Sequence, residues 1–260
     1  VPGGTGRVTV DLASALSRRS DIKVQGFSAW HRRPAPPDFS PTISVRKLKV
    51  PRPLLYEAWS RAPIPRLNVK GHDIVHSTTI VPPPASNVPL VVSVHDLAFR
   101  RFPERFPGRA RRLFERSWRR VLERADAVLC PSAATSADLR AGGLGADRLH
   151  LVPLGHDPRP VTKEAGLQAR QRFGIDGSFV LAAGTLEPRK NIPTLIDAFA
   201  RIASATNTQL VLAGPAGWGI TPQDLLHPLD TDTKNRIVIT GAITIDELAA
   251  LYSEATVFCY

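Results

Sequence analysis

The sequence predicts an α/β protein of two lobes, each built on a parallel sheet. Short apolar runs alternate with helix-patterned stretches, the order in which crossover helices join parallel strands. Several runs stop at a glycine or at titratable residues, as strands do at the ligand-binding edge of such sheets. Charge divides unevenly: residues 1–158 hold 25 Lys and Arg against 13 Asp and Glu, and residues 159–260 hold 9 against 10. That asymmetry separates a basic first lobe from a nearly neutral second one. Hydrophobic content of 43% over 260 residues is enough to fill a core in each. The expected boundaries are 1–158 for the first lobe, 159–172 for a linker and entry helix, and 173–260 for the second lobe.

Gly3-Gly4-Thr5-Gly6 opens as a glycine loop, and a helix follows over residues 7–19 with Val8, Leu12 and Leu16 on one face. A glycine loop entering a helix suits a phosphate; a plain strand-to-helix turn has the same look. The dinucleotide fingerprint fails, because Thr9 stands where its last glycine belongs. Strands are expected over 23–27 and 42–48, a helix over 54–60, a strand over 73–77 and a proline-rich loop over 81–86. Residues 89–96 read as a buried strand ending in His95 and Asp96. Such a pair orients a substrate hydroxyl or stabilises developing charge; a histidine satisfied within its loop is the alternative. Residues 100–125 form the most basic stretch, with ten Arg and three Glu. Wound as a helix from about Gly108, they put Leu113, Phe114, Trp118, Val121 and Leu122 on one face and Arg112, Arg116, Arg119 and Arg120 on the other. Both a docked helix with a solvated charged face and an interfacial helix on anionic lipid fit that pattern. A strand over 125–130, Pro131-Ser132, a helix over 133–140 and a strand with a glycine turn from Leu149 to Asp157 close the lobe.

In the second lobe Phe179–Ala183 reads as a buried strand that stops at Gly184. A short polar loop carries Arg189 and Lys190, and a helix starts near Pro193 with Leu195, Ile196 and Phe199 on one face. Backbone N–H groups, a helix dipole and positive charge converge there as a phosphate cradle. An ordinary turn with a solvated Arg-Lys pair is the other reading. Further strands over 209–212 and 236–240 end near Gly214-Pro215 and Gly241, before a helix over 245–253 and a strand over 256–260.

No apolar run approaches the roughly 18 residues that span a bilayer. Cys130 and Cys259 sit in strand-like contexts without metal-ligand spacing and read as buried free thiols of a reducing compartment. The basic first lobe calls for an anionic partner: a membrane surface, a phosphorylated or acidic acceptor, or nucleic acid. Nucleic acid is disfavoured, since no recognition motif accompanies the charge. An anionic membrane surface met by the arginines between Arg109 and Arg124 fits a cytoplasmic protein held at the inner face of a membrane. With no Met and strand-like residues at its close, the sequence reads as a fragment.

The ordered set of landmarks resembles the family-4 glycosyltransferases. These are Gly3-Gly4-Thr5-Gly6-Arg7, His95-Asp96-Leu97, Ala125-Asp126-Ala127 with Pro131-Ser132, and Val152-Pro153-Leu154-Gly155-His156-Asp157. They continue with Gly184-Thr185-Leu186-Glu187-Pro188-Arg189-Lys190-Asn191, Leu212-Ala213-Gly214-Pro215, and Gly241 before Leu248-Ala249-Ala250-Leu251-Tyr252. The resemblance implies a GT-B fold of two facing Rossmann-like lobes, the second incomplete here. It implies a retaining transferase that moves a hexosyl group from a nucleoside-diphosphate sugar to a glycan or lipid-linked acceptor, with no metal or other cofactor. Gly3, Gly4 and Gly6 would approach the donor diphosphate, His95 the donor sugar, and Gly184 and Lys190 the diphosphate. Gly214 and Gly241 would border the base. Thr185 stands where many members carry arginine, so Arg189 is expected to supply the second cation. The family's Glu-containing segment would lie after Tyr260, and the fragment is expected to be inactive alone. A non-catalytic binding or scaffolding protein derived from this fold, anchored through its basic lobe, is the alternative.

Overall fold

The computed structural model describes residues 3–84, 87–156, 158–203 and 205–260. Ala85 and Ser86 of the proline-rich loop, and Asp157 at the close of the first lobe's last landmark, lie outside the described residues. Two compact units meet at the Gly155–His156 bond. Every ladder between strands is parallel among the described residues.

The first unit runs α1 (Gly4–Ser17), β1 (Gly26–Trp30), β2 (Val45–Pro51), α2 (Arg52–Arg61), β3 (Val75–Ser77), β4 (Leu90–Ser93) and α3 (Ala98–Arg101). It continues through α4 (Gly108–Arg124), β5 (Ala127–Cys130), α5 (Ala133–Ala141) and β6 (Leu149–Leu151). β1 and β2 form one sheet and β3-β4-β5-β6 another. One core, centred on Leu55, Val92, Val94, Trp118, Val121, Val128 and Leu139, joins α2, α3, α4 and α5 to both, while α1 has no buried residue, so the expected face of Val8, Leu12 and Leu16 is only partly covered. β1 and β2 each start three residues later than the pattern predicts. They pair with each other from Gly26↔Val45, so a shift in one carries the other along. The opening glycines are also corrected: Gly3 is the N-cap of α1, with no side-chain cap, and Gly4 and Gly6 lie within the helix rather than in a loop before it.

The second unit runs α6 (Lys163–Phe173), β7 (Phe179–Ala183), α7 (Ile192–Ala203), β8 (Gln209–Ala213), α8 (Pro222–Leu226), α9 (Thr231–Asn235), β9 (Ile237–Gly241), α10 (Ile245–Glu254) and β10 (Val257–Phe258). The strand order is β10-β7-β8-β9. Side-chain alternation splits the interior into two cores. Leu210 and Leu212 face Ile196 and Phe199 of α7, whereas Val211 and Ala213 face Ala250 and Leu251 of α10 and Ala169 of α6. Burial on both faces explains why β7 and β8 read as continuous apolar runs rather than alternating ones. α8 and α9 were not foreseen. Both are single short turns, stabilised by Thr221 and Asp230 caps, and too brief to show a helical period.

Candidate functional site

The C-terminal ends of β7, β8 and β9 bring Gly184, Gly214 and Gly241 together. The Gly184 amide donates to Ala213 O at 2.9 Å, and the Gly214 amide donates to Gly241 O at 3.1 Å. The segments beyond β7 and β8 stay zipped: Leu186 N–H donates to Pro215 O and Gly217 N–H donates to Leu186 O, each at 3.0 Å. This leaves no space for a side chain between them. A Cβ on Gly214 would lie 2.0 Å from Gly184 O, and φ at Gly214 is 150°. Glycine is required there by contact and by conformation.

Lys190 closes over this glycine floor. It ends a single 3₁₀ turn, Pro188–Lys190, and Asn191 then takes a left-handed conformation, φ 53°, before α7 begins. A Cβ built on Gly184 would lie 3.3 Å from Lys190 Cε and 3.8 Å from Nζ, so the ammonium rests beside the strand-end backbone. Lys190 Nζ also donates to Tyr260 Oη at 2.9 Å and sits 4.2 Å from the centre of that ring. A backbone surface free of side chains beside a fixed ammonium is suited to an extended anion.

Arg189 does something else. Its Nε and Nη2 donate to Glu187 Oε1 at 2.9 and 2.7 Å, and Glu187 is only 4% exposed. The guanidinium balances a buried carboxylate, so in this structure Arg189 is ion-paired rather than a free cation. The picture of a solvated Arg-Lys pair falls for the same reason, because both side chains are half-buried and bonded. Glu187 escaped the sequence reading, although an acid two residues before an arginine in a tight turn was the available signal. Thr185 is half-buried beside Gly217, where an added Cβ would meet its Cγ2 at 2.8 Å.

A separate polar cluster occupies the first unit. His95 lies beyond the end of β4, and its Nε2 donates to the Thr78 carbonyl at 3.2 Å; the carbonyl can only accept, so the proton is on Nε2. Thr78 Oγ1 lies 2.8 Å from Thr9 Oγ1 of α1, which ties the Gly3–Gly4–Gly6 helix start to the same cluster as His95. Asp96 instead accepts the Ala98 amide at 2.9 Å and caps the following turn, so it is not paired with His95. Gly3 and Gly4 have open space where a side chain would project.

The cysteines are also placed. Cys130 is buried, and burial pushes its thiol above the ordinary value. Cys259 is only half-buried, because β10 lies at the sheet edge, which corrects its reading as a core thiol. Among the described residues no helix is long and apolar enough to cross a membrane.

Parallel strands ending in a glycine floor beneath a lysine define an α/β unit of the nucleotide-binding class. The family model for Glycosyltransferase Family 4 matches residues 2–159, and that for Glycosyl transferases group 1 matches residues 177–260. The chain belongs to glycosyltransferase family 4. Mannosylfructose-phosphate synthase of Agrobacterium fabrum is 28% identical over 126 residues, 45% of this chain and 28% of that protein. O-antigen chain mannosyltransferase B of Escherichia coli is 29% identical over 178 residues, 65% of this chain and 46% of that protein. The chain thus matches less than half the length of these curated relatives. Anabaena HepE in complex with UDP and glucose has a TM-score of 0.69 at 19% identity, covering 99% of this chain and 70% of that one. Sucrose-phosphate synthase from Thermosynechococcus elongatus has a TM-score of 0.70 at 22% identity, covering 98% and 69%. At these identities the likeness is one of fold, the GT-B fold of glycosyltransferases.

Proposed function

We propose that this chain serves a hexosyltransferase that moves a hexosyl group from a nucleoside-diphosphate sugar to a glycan or lipid-linked acceptor, with retention of configuration. The observation that carries the reading is the Lys190 ammonium beside Gly184, where the backbones of Gly184 and Gly214 meet without side chains. As the glycosidic bond breaks, the departing diphosphate gains negative charge. A fixed ammonium stabilises that charge without reorganising, and one such donor contributes about 3 kcal/mol. In this reading Lys190 neutralises the diphosphate, Gly184, Thr185, Gly214 and Gly241 line the nucleotide, and Arg189 holds the loop through Glu187. His95 serves the donor sugar, and Gly3, Gly4 and Gly6 at the start of α1 serve the diphosphate. No divalent cation takes part. Mannose is the first hexose to try, because the curated relatives include a mannosyltransferase and a mannosylfructose-phosphate synthase.

The test is a screen of UDP- and GDP-hexoses on the full-length protein with glycan and lipid-linked acceptors, following nucleoside-diphosphate release and product configuration. The expected outcome is acceptor-dependent release from one donor, a retained anomeric centre, and no loss on adding EDTA. An inverted product or an EDTA-sensitive reaction contradicts the proposal, and binding of donor without release under every acceptor favours a non-catalytic protein.

A further inference from the structure

A second charged site lies in the first unit, on residues outside the cluster around His95. α2 and α4 pack against each other and leave an open groove of about 460 Å³ between facing stripes of side chains. Leu54, Glu57, Ala58 and Arg61 form the α2 stripe, spaced by three and four residues, and Arg109, Arg112 and Arg116 form the α4 stripe. Glu57 is the one carboxylate among the lining residues. It accepts from Arg61 Nε at 2.8 Å and from Arg116 Nη2 at 2.7 Å, and Arg116 Nε donates to Ser60 Oγ at 3.2 Å. Partial desolvation opposes ionisation of Glu57, but Arg61, Arg116 and Arg109 together hold its carboxyl below the ordinary value. Arg116 therefore docks α4 on α2, whereas Arg61 pairs with Glu57 within α2. Arg109 and Arg112 make no ion pair with any described carboxylate and are exposed at the groove. The expected solvated face holds for Arg112 and Arg119, which are exposed, and is corrected for Arg116 and Arg120, which are half-buried, Arg120 donating to the Arg61 carbonyl.

Four guanidinium groups around one carboxylate leave the groove strongly positive, and paired arginines present forked donors matched to phosphate oxygens. The wall is also partly apolar. Leu54 is 62% exposed, and with Ala58 it borders the same groove as the arginines. A freely hydrated ion has no use for an exposed leucine, whereas a phospholipid presents phosphate and hydrocarbon side by side. We infer that the α2/α4 groove receives the phosphate headgroup of an anionic phospholipid, docking the first lobe on a membrane surface through Arg109, Arg112 and Leu54. This site is independent of the donor seat on the second unit, and failure of either leaves the other intact.

The experiment is flotation of the chain with phosphatidylcholine vesicles, with and without phosphatidylglycerol, at increasing salt. Binding is expected only with phosphatidylglycerol and is expected to weaken as salt rises. The double variant R109Q/R112Q should bind about 10- to 30-fold more weakly, as loss of two surface cations predicts. The charge-matched R32Q/R33Q, altering two exposed arginines elsewhere, should bind nearly as the parent does. L54N keeps every charge and should weaken vesicle binding while preserving its salt slope. Thermal unfolding of each variant verifies that it folds. Equal losses in both arginine pairs, unchanged binding in R109Q/R112Q, or binding to pure phosphatidylcholine overturns the inference. So does calorimetric binding of glycerol phosphate without vesicle binding, which assigns the groove to a soluble phosphate.

Discussion

Gly214 carries the tightest steric demand in the second unit. Its missing Cβ would overlap Gly184 O at 2.0 Å, with backbone rather than a movable side chain on the other side. Gly214→Ala is therefore expected to destabilise the protein by about 3 kcal/mol, at the upper end of overpacking costs. A thermal midpoint within error of the parent would show that the two loops separate easily and are no rigid floor. Gly184 is less demanding, since an added Cβ there meets only the flexible end of Lys190. The sequence marked Gly184, Gly214 and Gly241 because each follows an apolar run. It could not show that they converge, because convergence depends on the β7-β8-β9 order and on register. Arg189 shows the opposite failure. A basic pair looks like two cations until burial of Glu187 assigns one of them a carboxylate.

At the level of elements, periodicity located every strand, but it placed the ends poorly where pairing rather than pattern decides them. The shared three-residue offset of β1 and β2 is an example, and the two-residue length of β10 is another. The α4 pattern was legible on its apolar side, with Trp118 and Val121 buried. Its basic side was not, because the bond from Arg116 to Glu57 needs α2 beside it. β3 and β4 carry a testable polar link in His76, whose Nε2 lies 2.8 Å from Ser93 Oγ. Burial, helped by the positive potential of His95, pushes the His76 imidazole below its ordinary value. The folded state thus favours neutral His76, while the unfolded chain takes up the proton near pH 6.5. Stability from this group is present above about pH 6.5 and is lost as pH falls from there toward the lowered folded value. Thermal midpoints of the parent should drop more steeply between pH 7 and pH 5 than those of His76→Gln. Parallel curves would remove His76 as a source of the pH dependence.

Across the whole molecule, the division of charge in the sequence matches a division of structure. The basic half folds as one unit around a single core, and the neutral half folds as another with a core on each face of its sheet. Family membership spans both, so the two units belong to one glycosyltransferase chain rather than to a fusion of unrelated domains. In the proposed function, the second unit seats a nucleoside diphosphate on its glycine floor beside Lys190. Calorimetric titration of UDP and GDP into the parent, K190A and R189A tests it directly. One nucleotide is expected to bind the parent, and K190A is expected to weaken it about 100-fold, the equivalent of one strong charge-assisted contact. R189A should lose less, and lose it together with thermal stability, because its partner Glu187 is left buried without a counter-charge. Parental affinity in K190A, or an R189A variant that folds normally yet loses more affinity than K190A, would contradict it.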